Sequence, residues 1–383
     1  MSIDRRSCLL GGAAAAASLV SGTSAGRAQR VIDGPILPGP AEIIAMRVLI
    51  EKFRRKYNVP GFQIAIARQG QLVYSDAIGQ ANNSPQEPLT PQHRFRIASI
   101  SKPITSTAIF TLIESGTIKL SDRVFGAKGL LATDYRTASG SKWINEITVE
   151  HLLTHTAGGW ANDRNDPMFQ RPELGHSALI AWTLENQPQI NRPGQVHAYS
   201  NFGYCVLGRV IEKATNLRYE TYTQKAVLLP AGITGMEIAG NRLAERRPQE
   251  VRYYPQGGGD PYGSNVRRMD SHGGWIATAG DLVRFANKVA GFGRPLLLQP
   301  ATLRTMTTPS NVNRGYAMGW SVNAAGNWWH TGSLPGTTTV LVRTQSKFCW
   351  AALANIRSNV GDMNRDMDAL VWQMTRQVPA WAA

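Results

Sequence analysis

The chain has 383 residues, of which 43% are hydrophobic and 17% charged, with a formal net charge of +15. That balance fits a globular protein with a sizeable core and excludes an extended disordered chain. Three cysteines, no C-x-x-C and seven histidines without ligand spacing exclude a disulfide scaffold and give no sign of a metal site or a cofactor.

In chain order, the first segment is Asp4-Arg5-Arg6-Ser7-Cys8-Leu9-Leu10 running into a Gly/Ala/Leu stretch. Twin arginines before a mildly apolar run predict a Tat-type export signal over residues 1–28, with an ordinary Sec signal or an N-terminal helix as alternatives. The stretch is too rich in glycine and alanine to predict a membrane span. A periplasmic or secreted location follows as an expectation. There the positive charge would meet anionic components of the cell envelope. No basic stripe or binding module points to nucleic acid.

Residues 41–57 predict a helix, with Met46, Leu49, Ile50, Phe53 and Tyr57 on one side and Pro60-Gly61 ending it. Residues 62–67 and 72–74 predict two strands around Gln69-Gly70-Gln71, and 82–91 reads as loop. A helix follows Ser99, carried by Ile104, Ala108, Ile109, Leu112 and Ile113 and ended by Gly116. The middle is loop-rich and helical, clearest over 149–153, 205–214 and 281–289. Strands are predicted over 316–322, 328–330, 338–343 and 348–355, and a helix over 362–376 closes the chain. Strands at both ends around a helical middle predict an α+β fold. It has one antiparallel sheet built from both chain ends with flanking helices, and an inserted, mainly helical subdomain. Residues 29–383 then form a single catalytic unit, with an α/β part over about 29–97 and 310–383 and a helical part over about 98–309.

Three short motifs carry the chemistry. Ser99-Ile100-Ser101-Lys102 puts a hydroxyl and an amine three residues apart, on one side of a helical turn. A desolvated amine beside a serine can take its proton and turn a poor nucleophile into a good one. Tyr199-Ser200-Asn201 and His330-Thr331-Gly332-Ser333 follow in order. Together the motifs resemble those of the serine β-lactamase and penicillin-binding protein superfamily, in the tyrosine-bearing class C branch that also holds DD-carboxypeptidases, D-amino-acid peptidases and esterases. The stretches 147–159, 273–278 and 316–320 also resemble that branch, and the likeness runs from about Ala41 to the C-terminus.

The resemblance implies the same fold, with the site between the sheet and the helical part. It makes Ser99 the nucleophile and Lys102 its hydrogen-bonded cation. Tyr199 becomes a proton-transfer partner whose phenol, flanked by Lys102 and a protonated His330, should titrate below its ordinary value near 10. Asn201 would contact Lys102 or a substrate amide, Thr331 would hold a substrate carboxylate, and Gly332 would allow close approach of the acyl group. The backbone N–H groups of Ser99 and Ser333 would form the oxyanion hole. Whether Lys102 or Tyr199 accepts the first proton stays open.

Histidine in place of the usual lysine at His330 shifts the expected substrate from β-lactams toward D-amino-acid peptides, amides or esters. A class C-like β-lactamase is the alternative, and a penicillin-binding sensor without turnover is the reading from another class. His151 and His155 read as structural, and His197 and His272 lie near motifs without a role. Cys205 and Cys349 read as separate buried thiols, with a disulfide left open.

Overall fold

The computed structural model describes residues 34–132, 134–135, 142–256, 259–293 and 295–382; the proposed export signal lies outside them. Seven antiparallel strands form the main sheet. Their order is Gln86–Pro88, Gln71–Asn83, Gly61–Arg68, Phe348–Ala354, Thr337–Arg343, Trp328–Leu334, Ser321–Val322. The first three come from the start of the chain and the last four from its end. They join where Phe62 pairs with Ala354 and Arg68 with Phe348.

The central strands are buried on both faces, which explains why they read as continuous apolar runs rather than alternating ones. Phe62, Ile64, Ile66 and Trp350 face a layer made by the helices Pro40–Tyr57 and Met363–Thr375. Ala65, Ala67, Ala351 and Leu353 face the opposite way, into the larger core. Their small side chains let helix Ala279–Val289 lie close against the sheet. That helix carries its apolar stripe as Leu282, Phe285, Ala286 and Val289. The mixed helix and antiparallel-sheet class therefore stands as the sequence predicted.

Several local readings are corrected. The second strand runs on from the predicted 72–74 to Asn83, and Gln86–Pro88 is a strand inside the stretch read as loop. Polar residues there sit on the sheet's edge, where one face meets water and no apolar run is needed. Residues 316–320 are not strand. Ala317 N–H donates to the Trp320 carbonyl at 2.8 Å, and Gly319 turns the chain at φ 86°. A Cβ at Gly319 would lie 2.6 Å from the Ser106 Cβ, so the turn needs both the positive φ and the missing side chain.

A small three-stranded sheet in the middle also escaped the sequence reading. Phe95–Arg96 and Glu237–Ile238 flank Trp275–Ala277, and Ile97 N–H donates to the Trp275 carbonyl at 3.0 Å. This pairing brings the segment before Ser99 alongside the segment after His272. Cys205 and Cys349 are both free and buried. Among the described residues no helix is long and apolar enough to cross a membrane.

Asn355, fully buried, clips the two ends of the chain together. Its Oδ1 accepts from Gly61 N–H at 2.7 Å, and its Nδ2 donates to the carbonyls of Gln80 at 3.2 Å and Arg252 at 3.0 Å. Removing the amide strands buried backbone groups that water cannot reach. Asn355→Ala should lower the free energy of unfolding by about 2–3 kcal/mol in urea titration; a loss below about 0.5 kcal/mol would show that these groups find other partners.

Candidate active site

Ser99 lies in a 3₁₀ turn, Ala98–Ile100, that feeds directly into helix Ser101–Glu114. A 3₁₀ turn has three residues per turn, so positions i and i+3 stack and Lys102 comes to stand over Ser99. Ala98 is held at φ 48°, a left-handed conformation costly for alanine, while 1% exposed. The packing that enforces it leaves Ser99 half-buried in the lining of a cleft of about 340 Å³. Asn201, His272 and Ser333 share that lining.

Lys102 is 0% exposed. Its Nζ donates to Ser99 Oγ at 3.1 Å, Asn201 Oδ1 at 2.7 Å and the His272 carbonyl at 3.1 Å. It also sits 4.7 Å from the Tyr199 ring centre. Burial pulls its amine down to about 7, with the Asp166 carboxylate acting in the opposite direction. Asn201 is the link between these charges, since its Nδ2 donates to Asp166 Oδ2 at 2.7 Å and to Asn162 Oδ1 at 3.1 Å. Asp166 is itself 0% exposed, and burial raises its carboxyl to about 6. Sequence reasoning missed Asp166. Asp166-Pro167 reads as an ordinary helix cap, and it does cap Pro167–Gln170 through Met168 N–H at 2.9 Å.

Two electrostatic expectations are overturned. Tyr199 was to be flanked by two cations and so acidified. Instead burial pushes its phenol well above the ordinary value, only partly countered by its hydrogen bond with Ser99. His330 was to supply the second cation. Burial, reinforced by the Lys102 charge, pushes its imidazole down to about 3, so the ring is neutral.

The hydrogen bonds also fix the His330 tautomer. Ser200 N–H donates to His155 Nδ1 at 3.0 Å, which places that ring's proton on Nε2. His155 Nε2–H then donates to the Tyr316 hydroxyl at 3.1 Å, and Tyr316 O–H to His330 Nε2 at 3.3 Å. His330 Nδ1–H ends the chain on the Thr331 carbonyl at 2.7 Å. His155, read as structural, is thus the root of a neutral relay whose rings crowd Tyr199, the His155 and Tyr199 centres being 4.3 Å apart. His197 packs on His155 and Tyr316.

The remaining residues divide. Ser333 is exposed beside Ser99 in the cleft lining, whereas Thr331 is half-buried and outside it. Gly332 has no room for a side chain, because a Cβ would lie 2.2 Å from the Ile97 carbonyl oxygen and 2.3 Å from Thr339 Oγ1. Its lack of a side chain therefore seats the strand on the segment before Ser99. His272, 3% exposed, lines the cleft with no hydrogen-bond partner on Nε2. Arg357, which no motif singles out, is exposed and also lines the cleft.

A half-buried serine held by a buried, low-titrating lysine, with a tyrosine against both, defines a serine hydrolase-type site. The beta-lactamase family model matches residues 46–371, and the chain belongs to that family as a serine hydrolase. It is 23% identical to penicillin-binding protein 4* of Bacillus subtilis, over 78% of this chain and 68% of that one. It is 28% identical to esterase EstB of Burkholderia gladioli, over 55% and 64%. Among solved structures, D-amino acid amidase of Ochrobactrum anthropi SV3 superposes with a TM-score of 0.73 at 19% identity, over 90% of this chain and 100% of that one, and so shares the fold.

The neutral His330 ring is directly measurable. In an NMR titration its ring signals should stay flat from pH 8 to 5, because its folded-state value near 3 lies below that window. A midpoint between 6 and 7 would restore the second cation.

Proposed function

We propose that this protein is an exported serine hydrolase that forms an acyl-enzyme at Ser99 and acts on D-amino-acid peptides, amides or esters. The observation that carries it is the buried Lys102 amine, 3.1 Å from Ser99 Oγ and titrating at about 7. Export rests on the twin arginines of the first segment.

Near neutrality a sizeable fraction of Lys102 is the free amine, while the Tyr199 phenol keeps its proton. Lys102 is therefore the first base and Tyr199 an acid. As Ser99 Oγ attacks the substrate carbonyl, its proton passes to Lys102 Nζ. The carbonyl oxygen becomes an oxyanion that the N–H groups of Ser99 and Ser333 receive. The C–N or C–O bond then breaks, and the leaving group takes a proton from Tyr199, which Lys102 re-supplies. Water attacks the acyl-enzyme by the same route in reverse, releasing the acid and returning the proton to Ser99.

Arg357 narrows the substrate within this class. Apart from this guanidinium, no charged side chain lines the cleft among the described residues, and no carboxylate does. A substrate with a free carboxylate, such as a peptide ending in a D-amino acid, gains an ion pair there. One needing a carboxylate for its free amine finds none. The relatives named penicillin-binding protein and D-amino acid amidase support peptide-like substrates, and esterase EstB supports esters.

Intact-mass analysis with a β-lactam and a short nitrophenyl ester tests the acyl-enzyme. A transient adduct on Ser99, absent in Ser99→Ala, is expected; a permanent one with both compounds would indicate a sensor without turnover. kcat/KM for the neutral ester should rise with pH to a plateau above about 7 as Lys102 loses its proton. A flat profile from pH 5 to 8 would remove Lys102 as base. Arg357→Gln should raise KM about tenfold for a D-Ala-terminated peptide and leave the neutral ester unaffected; equal effects on both would assign Arg357 to folding.

A further inference from the structure

A second cavity, of about 580 Å³, lies at the opposite end of strand Trp328–Leu334 from Ser333. It shares no lining residue with the catalytic cleft. Its apolar wall includes Leu303, Val322 and Trp328, and its charge comes from Arg304, Arg314 and Arg343. These three guanidiniums arrive from a helix, a loop and a strand, and none forms an ion pair with a described residue. No described acidic residue lines the cavity.

Arg343 is the built element of this pocket. Its guanidinium carbon lies 5.0 Å from the Trp328 ring centre and 5.3 Å from that of Phe292. Its Nη1 donates to the Gly326 carbonyl at 3.2 Å and Gln345 Oε1 at 3.3 Å. Its Nε is buried without a partner. Burial also pulls the group below its ordinary range, as expected for a cation whose surroundings supply no counter-charge. Partly desolvated charges are normally paired. An arginine resting on aromatic rings presents a planar fork that suits a carboxylate or phosphate oxygen pair.

We propose that this cavity is a binding site for a small amphiphilic anion, its acidic head on Arg304, Arg314 and Arg343 and its apolar body against Leu303, Val322 and Trp328. The volume suits a small molecule, and a mainly apolar pocket with a few converging polar groups is the usual form of such sites. The shared chemistry is an anionic head on an alkyl or aryl body. A free acid and a phosphate ester both satisfy it.

Isothermal titration of the full chain with octanoate, octyl phosphate, octanol and inorganic phosphate tests the site. At least one of the two amphiphilic anions should bind at 1:1, with octanol and inorganic phosphate at least about tenfold weaker. Which head binds identifies the source of the ligand. The double variant R304Q/R314Q, changed only at exposed positions, should weaken binding about tenfold and leave ester hydrolysis unchanged. Arg343→Gln should do the same to binding, and R304Q/R314Q keeps the test valid if Arg343→Gln does not fold. Acylation of Ser99 should leave the affinity as it was. Octanol binding as tightly as the anions, inorganic phosphate matching them, unchanged binding in R304Q/R314Q, competition with the ester at Ser99, or no binding of either amphiphile would each overturn the proposal.

Discussion

The structure depends on keeping one ammonium group dry. Lys102 has no contact with water, and a bare buried cation is untenable unless its donors are satisfied. Ser99, Asn201 and the His272 carbonyl satisfy them, each from a different part of the chain. Those partners must therefore be delivered to within hydrogen-bond distance at once. The helix after Ser99 brings the first, the Asn201 helix the second, and the small sheet through Trp275 the third. The large sheet, closed by the pairing of both chain ends, gives these pieces a common wall.

The same dryness organises the charges around it. With Lys102 desolvated and Asp166 held off by one amide, a second cation at His330 would be repelled and left without a partner. The fold instead seats a neutral imidazole there and spends its hydrogen bonds on a run of rings rooted at Ser200 and ending at Thr331. Every member of that run has one donor and one acceptor role filled, which is how polar rings persist in a core. A lysine at position 330 could not accept from Tyr316, so the histidine belongs to the relay as much as to the motif that carries it.

Charge outside the site follows a different rule. Many arginines of this basic chain are paired with carboxylates or carbonyls, as Arg209 is with Asp270 and Glu212. Among the described residues, no carboxylate lines the cleft that holds Arg357 or the distal cavity that holds the three arginines, so both places present positive charge in concave surroundings. They lie at opposite ends of the strand Trp328–Leu334, and they share no lining residue.

Much of this was legible in the sequence because the relevant signals are local. Helix periodicity, apolar strand runs and the spacing of Ser99 and Lys102 each follow from the geometry of a few neighbouring residues. The α+β class, the sheet built from both ends and the candidate set Ser99, Lys102, Tyr199, Asn201 and His330 were all written there, though the roles drew on resemblance as well. What the sequence by itself could not determine was burial. The charge on His330, the directions in which Lys102 and Tyr199 are shifted, and the surroundings of Asp166, His155 and Arg357 all depend on how much water each group keeps and which distant group faces it. Those quantities exist only once the chain is folded, because desolvation and Coulomb interaction act through space and take no account of position along the chain.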